Sequence, residues 1–168
     1  MKIKNILGVA GKGLVLCTAI AGVYGMFRTT REKDDVVVLK RYKKYYELTS
    51  EWLLQALTDK DSIKEYLEQN NYKNIAVYGM GSVAELLSKQ IKRYKDREIK
   101  YYIDRNGKEL YYGLDGVKVI DIDAMDTMTD IDVIIITAIA NYDEIMAEIK
   151  DKTNNVKIVS LDEIVINN

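Results

Sequence analysis

The sequence predicts an α/β fold, a doubly wound parallel sheet, preceded by a transmembrane helix and a helical connector. Three observations support this prediction. From Lys73 onward, short apolar runs alternate with amphipathic stretches of helical period, which is the order of strands and helices in a parallel sheet. Continuous apolar runs such as Val133–Ile136 indicate strands that are buried on both faces. The segment 6–27 is apolar or small along almost its whole length.

Length and composition limit the classes of protein to which this chain can belong. Its 168 residues correspond to about one domain with an appendage, at roughly 100 to 200 residues per domain. With 25 basic and 26 acidic side chains, the net charge of -1 argues against binding to nucleic acid. Histidine is absent and there is one cysteine, so imidazole-based triads, Cys/His zinc sites and an internal disulfide are excluded.

The segment 6–27 is long enough to cross a bilayer once, because a helix of about 22 residues extends roughly 33 Å. Its charged residue, Lys12, lies near one end, where a lysine stem can reach the interface. Basic residues are more numerous after the segment than before it, which predicts that the rest of the chain lies in the cytoplasm. We therefore predict a single-pass membrane anchor in region 1–28.

Two other interpretations of this segment stay open. One is a cleaved secretory signal, because Ala19 and Ala21 form an A-x-A pattern after a basic start. The other is a lipoprotein attached at Cys17, although the large Leu16 stands where a small residue is usual. Glycines at helical spacing would also let two such segments approach closely, which would suit a homodimer.

The segment 29–72 is predicted to be an amphipathic helical connector. Apolar and aromatic residues recur in it at steps of three and four positions, and a capping box that starts at Ser62 begins a second helix. The aromatic residues Tyr45, Tyr46 and Trp52 have the spacing of core packing rather than of a base-stacking surface. The basic residues of this segment form either a solvated helix face or a surface that attracts anionic lipid.

A glycine motif follows the first predicted strand of the α/β domain, which is assigned to 73–168. The motif reads Gly79-Met80-Gly81-Ser82-Val83-Ala84 and opens an amphipathic helix. Gly79 permits a tight turn, Gly81 lets a pyrophosphate approach the backbone, and Ala84 lets the helix pack closely on the strand. The free amide groups at the start of the helix would bind phosphate. The alternative is a glycine turn kept for packing in a sheet without a ligand.

Further candidate ligand residues follow other predicted strands. The strand Ile99–Ile103 ends at Asp104, 20 residues after Ala84, where a ribose-binding acid is expected. Such a carboxylate is equally well explained as a helix cap or a loop residue. Ligands of parallel sheets bind at the carboxyl ends of strands. Beyond the glycine motif, the predicted nucleotide site comprises Asp104, Arg105, Thr137, Ala138 and Asn141.

The acidic stretch between Asp121 and Asp132 is interpreted as a solvated loop. It lacks the glycine and the terminal glutamate of an EF-hand calcium loop, so no metal site is predicted.

The α/β domain resembles the Rossmann-like modules of bacterial polysaccharide-biosynthesis proteins, both nucleotide-sugar dehydratases and nucleotide-sugar acyltransferases. The likeness covers roughly residues 73 to 165 and rests on three runs: Ile75–Gly81, Tyr102–Asp104 and Gly116–Val119. Arg105 stands where the family often has a second aspartate, and Lys118 where proline is common. The resemblance implies a bound nucleotide, either NAD(P) or a UDP-sugar, and a polysaccharide-biosynthesis enzyme as partner.

No catalytic residue is assigned from the sequence. None of the 13 tyrosines has a lysine four positions later, as short-chain reductases require, and neither Lys12 nor Lys108 completes a Walker motif. Three functions stay open. The first is a membrane-anchored cytoplasmic nucleotide or nucleotide-sugar binding module without its own catalytic machinery. The second is an NAD(P)-dependent oxidoreductase or nucleotide-sugar modifying enzyme completed by a partner chain, and the third is a ligand-free membrane scaffold.

Overall fold

The computed structural model describes residues 34–107, 113–153 and 156–167. The chain divides into two compact units, Met1–Lys43 and Lys44–Asn168. Residues 34–57 are helical, and we call the part from residue 44 onward α1, because it belongs to the second unit together with the sheet. The predicted anchor 6–27 lies outside the described residues. None of the described helices is both long and apolar enough to span a membrane.

The described residues of the second unit form five strands and four further α-helices. In chain order these are α2 (Ser62–Gln69), β1 (Asn74–Tyr78), α3 (Ser82–Ile91), β2 (Glu98–Asp104), β3 (Lys118–Asp121), β4 (Val133–Ile136), α4 (Tyr142–Ile149), β5 (Lys157–Ser160) and α5 (Leu161–Ile166). Short 3₁₀ helices cover Ile122–Thr127, Ile139–Asn141 and Lys150–Lys152.

The five strands form one parallel sheet in the order β3-β2-β1-β4-β5. From β1 the chain first adds strands on one side and then crosses to add β4 and β5 on the other. The topological switch point therefore lies between β1 and β4, where Tyr78 is paired with Ile136 at the carboxyl ends. The predicted Rossmann-like parallel sheet is confirmed by this topology.

Alternate residues of the central strands enter two separate cores, one on each face of the sheet. Ile75 and Val77 belong to the core that α1, α2, α3 and α5 cover. Ala76 and Tyr78 belong to the core on the side of α4 and the first 3₁₀ helix. Leu48 of α1 is fully buried in the first core, so α1 is part of the helical layer on that face. The compact unit starts at Lys44, whereas the sequence placed the start of the α/β domain at residue 73.

The sequence predicts a strand over Gly116–Ile120, and β3 begins two residues into this run, because Gly116 belongs to a turn. The Val117 N–H donates to the carbonyl of Leu114 at 3.1 Å, and Asp115 and Gly116 have φ of 58° and 78°. Two consecutive positive φ angles in a four-residue turn are typical of a type I′ turn, for which Asp-Gly is a preferred pair.

Candidate functional site

The glycine turn after β1 is built around Gly79, whose φ is +98°. Its N–H donates to the carbonyl of Ile103 on β2 at 2.8 Å, which ties the turn to the neighbouring strand. A Cβ at this position would lie 2.8 Å from the Thr137 hydroxyl oxygen. Both the positive φ and this close approach require glycine, so the protein's own packing explains residue 79.

Thr137 joins β4 to β1 at the switch point. It is buried, and its hydroxyl and its N–H both donate to the carbonyl of Tyr78, at 2.9 and 3.0 Å. The sequence placed Thr137 among the ligand residues. In the structure its hydroxyl makes a hydrogen bond that holds the two central strands together.

Gly81 differs from Gly79, because nothing in its surroundings requires glycine. It is the N-cap of α3 with φ −75° and ψ −177°, an extended conformation that any residue adopts. A Cβ built on it would meet no atom within 4 Å. No side chain caps the helix there, and the first amide groups of a helix have no partner within it. The space that a side chain at position 81 would take, beside the amino end of α3, is therefore open.

The other residues of the motif differ in their exposure to solvent. Ser82 is exposed beside Gly81, whereas Met80 and Val83 are half-buried and pack against the first core. Ala84 is fully buried in that core, as its predicted role in close packing of helix on strand requires.

Asp104 lies next to the glycine turn, since the residue before it, Ile103, accepts the Gly79 hydrogen bond. Its Oδ1 accepts from the Asn106 N–H at 2.9 Å, so the carboxylate stabilises the turn after β2. Within the described residues, no hydrogen bond to its Oδ2 is found. Asp104 is therefore a loop carboxylate, which was one of the two interpretations of the sequence, and its Oδ2 can still accept a hydrogen bond.

Arg105 points toward α4. Its guanidinium donates to Glu144 at 2.9 Å and to Glu148 at 2.7 and 3.2 Å. These hydrogen bonds raise the pKa of Arg105 above its ordinary value, the bond to Glu144 contributing most. The sequence named Arg105 as a ligand residue, and the structure pairs its guanidinium with Glu144 and Glu148 of α4.

The remaining predicted residues, Ala138 and Asn141, lie in the segment between β4 and α4. Both are half-buried, and the Asn141 N–H donates to the Ala138 carbonyl at 3.0 Å. Tyr142, which follows, is half-buried, and burial raises its pKa, with a smaller contribution from Glu163. A phenol with a raised pKa stays protonated at neutral pH, which makes Tyr142 a poor general base.

Two tyrosines that the sequence did not name as ligand residues lie at this edge. Tyr78, the last residue of β1, is 4% exposed, and its hydroxyl has no hydrogen-bond partner within the described residues. Burial raises the pKa of Tyr78, and Arg105 opposes this rise. The hydroxyl of Tyr45 on α1 donates to the Thr137 carbonyl at 3.5 Å. The sequence assigned Tyr45 to core packing, and its ring does pack against the first core.

The acidic stretch after β3 has structural roles. Asp121 caps the 3₁₀ helix by accepting from the Asp123 N–H at 3.0 Å, and Asp123 pairs with Lys152 at 3.2 Å. Asp132 accepts from the N–H groups of Lys73 and Asn74, each at 2.8 Å. In the described ranges no three acidic, histidine or cysteine side chains converge as a metal site.

Two adjoining cavities of about 230 and 180 Å³ lie between α1 and α3, away from the glycine turn. Trp52, Ala56 and Gln90 line both of them. The Trp52 indole N–H donates to Gln90 at 2.5 Å, and Gln90 donates to Asp61 at 2.7 Å. Trp52, Gln90 and Asp61 therefore form a chain of hydrogen bonds beside these cavities.

Neither a protein-family model nor a curated protein matches this sequence. Among solved structures, the chain is similar to UDP-D-quinovosamine 4-dehydrogenase from Vibrio fischeri. The identity is 17% and the TM-score 0.46, over 57% of this chain and 85% of the other. This likeness is partial.

Proposed function

We propose that this chain is a cytoplasmic nucleotide or nucleotide-sugar binding module that grips a diphosphate at the amino end of α3. The observation that carries the proposal is the environment of Gly81. Its backbone is in a conformation open to any residue, and the space its Cβ would take is empty. The absence of a side chain there keeps the helix end accessible, and a diphosphate needs that access to reach the backbone amides.

The position of this helix end in the sheet supports a nucleotide as the ligand. α3 follows β1, so its amino end lies beside the switch point between β1 and β4, where parallel sheets bind their ligands. Its dipole favours an anion. At the end of the adjacent β2, the Oδ2 oxygen of Asp104 would accept a hydrogen bond from a ribose hydroxyl.

The cellular setting is a proposal from the sequence. The segment 6–27 supports a single-pass anchor with the α/β domain in the cytoplasm. The resemblance of residues 73 to 165 to polysaccharide-biosynthesis modules supports a place in the assembly of cell-surface polysaccharide. The module would act by recognising its ligand or by recruiting an enzyme, and a partner chain would supply any catalytic groups.

Thermal stability of the full chain tests the ligand site. NAD, NADP, UDP, UDP-sugars, CoA and S-adenosylmethionine are added separately, and the melting temperature is followed. A ligand at a hundred times its dissociation constant adds about 2.7 kcal/mol, which raises the melting temperature by a few degrees for a chain of this size. We expect a rise with at least one nucleotide diphosphate.

Two substitutions at one position serve as the matched pair. Gly81→Val projects a branched side chain into the space in front of α3 and should abolish the ligand-induced rise, whereas Gly81→Ala should weaken it. Both variants should melt near the wild-type temperature without ligand, because their Cβ meets no protein atom. If none of the compounds raises the melting temperature, the proposal is wrong and the ligand-free scaffold is favoured.

A further inference from the structure

The Tyr45 side chain reaches the switch point of the sheet. Its hydroxyl donates to the carbonyl of Thr137, 92 residues away, at 3.5 Å. The Thr137 hydroxyl donates in turn to the carbonyl of Tyr78, and the same hydroxyl is the atom that a Cβ on Gly79 would approach. Tyr45, Thr137 and the glycine turn are therefore neighbours at the carboxyl edge of β1 and β4.

The position of Tyr45 is held by the rest of α1. Leu48, one turn further along, is fully buried in the first core. Trp52 donates to Gln90 of α3, and the buried Gln55 donates to the Val165 carbonyl of α5 at 2.7 Å. These contacts join α1 to the helices on both sides of it, so the tyrosine is presented by a docked helix.

The place of Tyr45 relative to α3 determines which part of a ligand it would meet. A diphosphate at the amino end of α3 has two substituents. Because β2 and β4 flank β1 on opposite sides, one substituent would extend over β2 toward Asp104 and the other over β4 toward Thr137. The Tyr45 hydroxyl lies at Thr137, on the β4 side.

We propose that Tyr45 contacts the ligand, at the substituent of the diphosphate that lies on the β4 side. This inference rests on the proposed function. A tyrosine offers an apolar ring face and a hydroxyl that donates and accepts. This combination suits a hydroxyl-bearing sugar ring, either the sugar of a nucleotide-sugar or the second ribose of a dinucleotide. The helix α1 is then part of the binding site, and ligand occupancy restrains it.

Paired ligands separate the two halves of the site. UDP and UDP-glucose share the uridine diphosphate, and only UDP-glucose carries the additional sugar; ADP and NAD form the corresponding pair. The dissociation constants of all four are measured by calorimetry with the full chain as wild type and as Tyr45→Ala, Tyr45→Phe and Tyr46→Ala. Tyr46 is the matched control, because it is the adjacent tyrosine of α1 and is 72% exposed.

We expect Tyr45→Ala to weaken binding of the longer member of a pair about tenfold and that of the shorter member less than about twofold. Tyr45→Phe keeps the ring and should lose less, and Tyr46→Ala should bind both members as the wild type does. Equal losses for both members, or an unchanged or increased affinity for the longer one, would overturn the role of Tyr45.

Hydrogen exchange of the wild-type chain provides a second measurement that needs no substitution. Peptides covering residues 44–52 should gain protection with UDP-glucose or NAD beyond that seen with UDP or ADP. No additional protection would contradict the inference. Binding that Gly81→Val abolishes but Tyr45→Ala leaves intact would refute the inference alone, whereas a wild type that binds neither these four ligands nor any other compound of the melting-temperature panel refutes the proposed function together with it.

Discussion

Thr137 and Tyr78 are joined by two hydrogen bonds at the carboxyl edge of the sheet, from the Thr137 hydroxyl and N–H to the Tyr78 carbonyl. The residues come from strands that are 59 positions apart in the sequence, and the contact closes the switch point directly beside Gly79. The geometry of the glycine turn therefore depends both on its own glycines and on Thr137, which follows another strand.

Replacement of Gly79 by alanine should destabilise the fold, because the new Cβ would lie 2.8 Å from the Thr137 hydroxyl at a φ of +98°. We expect a loss of about 1 to 3 kcal/mol in the free energy of unfolding, measured by urea denaturation. Gly81→Ala is the matched control and should change this free energy by less than about 0.5 kcal/mol. Equal losses at the two positions would show that the glycines do not differ as described.

Gln55 holds α1 in place, and its replacement by leucine should be costly. Its side-chain amide donates to the Val165 carbonyl at 2.7 Å and accepts from the hydroxyl of the buried Ser62. Leucine leaves both of these buried groups without their partner, at roughly 1 to 3 kcal/mol for each unsatisfied group. Gln69→Leu, at an exposed position of α2, serves as the control in the same denaturation experiment. A Gln55→Leu variant as stable as the wild type would contradict the anchoring role.

Tyr66 should make the fold sensitive to alkaline pH. Burial, followed by the proximity of Tyr72, Glu163 and Tyr142, raises the pKa of Tyr66 from 10.0 to about 12. A raised pKa means that the folded state holds this proton more tightly than the unfolded state. The associated stability is fully present below pH 10 and is lost as the pH rises from about 10 to about 12.

The free energy of unfolding of a Tyr66→Phe variant should therefore fall less steeply than that of the wild type over this pH interval. Tyr46→Phe, on the exposed side of α1, should follow the wild-type curve. Urea denaturation at several pH values between 9 and 12 gives the comparison, and identical slopes for Tyr66→Phe and the wild type would rule out a contribution from Tyr66.

The ion pairs of Arg105 should add little to stability, although they orient its side chain. The side chains of Arg105, Glu144 and Glu148 are 46%, 63% and 38% exposed. Exposed pairs contribute about 0 to 1 kcal/mol and are screened by salt. We expect Arg105→Ala to lose less than about 1 kcal/mol at low ionic strength and still less in 1 M NaCl. A larger loss that salt does not reduce would indicate a packing role for the arginine.

Local patterns were sufficient to predict the elements themselves. The apolar run 74–78 predicts a strand, and β1 covers Asn74–Tyr78; the glycine motif was predicted to open a helix, and α3 begins at Ser82 within that motif. Both depend on residues adjacent in the chain, namely an apolar run that stops at a glycine and an amphipathic period that starts after it. The later start of β3 also follows from a local signal. Asp115-Gly116 is a recognisable turn pair, and the predicted strand wrongly included Gly116.

The roles of individual site residues were harder to predict. Thr137 was correctly placed at the end of a strand, but its hydroxyl donates a hydrogen bond to the Tyr78 carbonyl. Arg105 was placed in the nucleotide site, but its guanidinium is paired with two glutamates of α4, Glu144 and Glu148. In each case the partner is more than 35 residues away, and periodicity identifies which side of an element faces inward without identifying what it meets.

The order of strands and helices and the conformational demands of the glycine turn were determined by the amino-acid sequence alone, because they follow from side-chain period and from glycine's freedom at positive φ. Only the tertiary structure decided that α1 packs on the sheet and brings Tyr45 to Thr137. That contact exists because the crossover from β3 sets β4 beside β1, and because Leu48 and Gln55 bury part of α1 against the layer on that face. Such placements depend on the free energy of the whole packed unit, which cannot be read from any short stretch of residues.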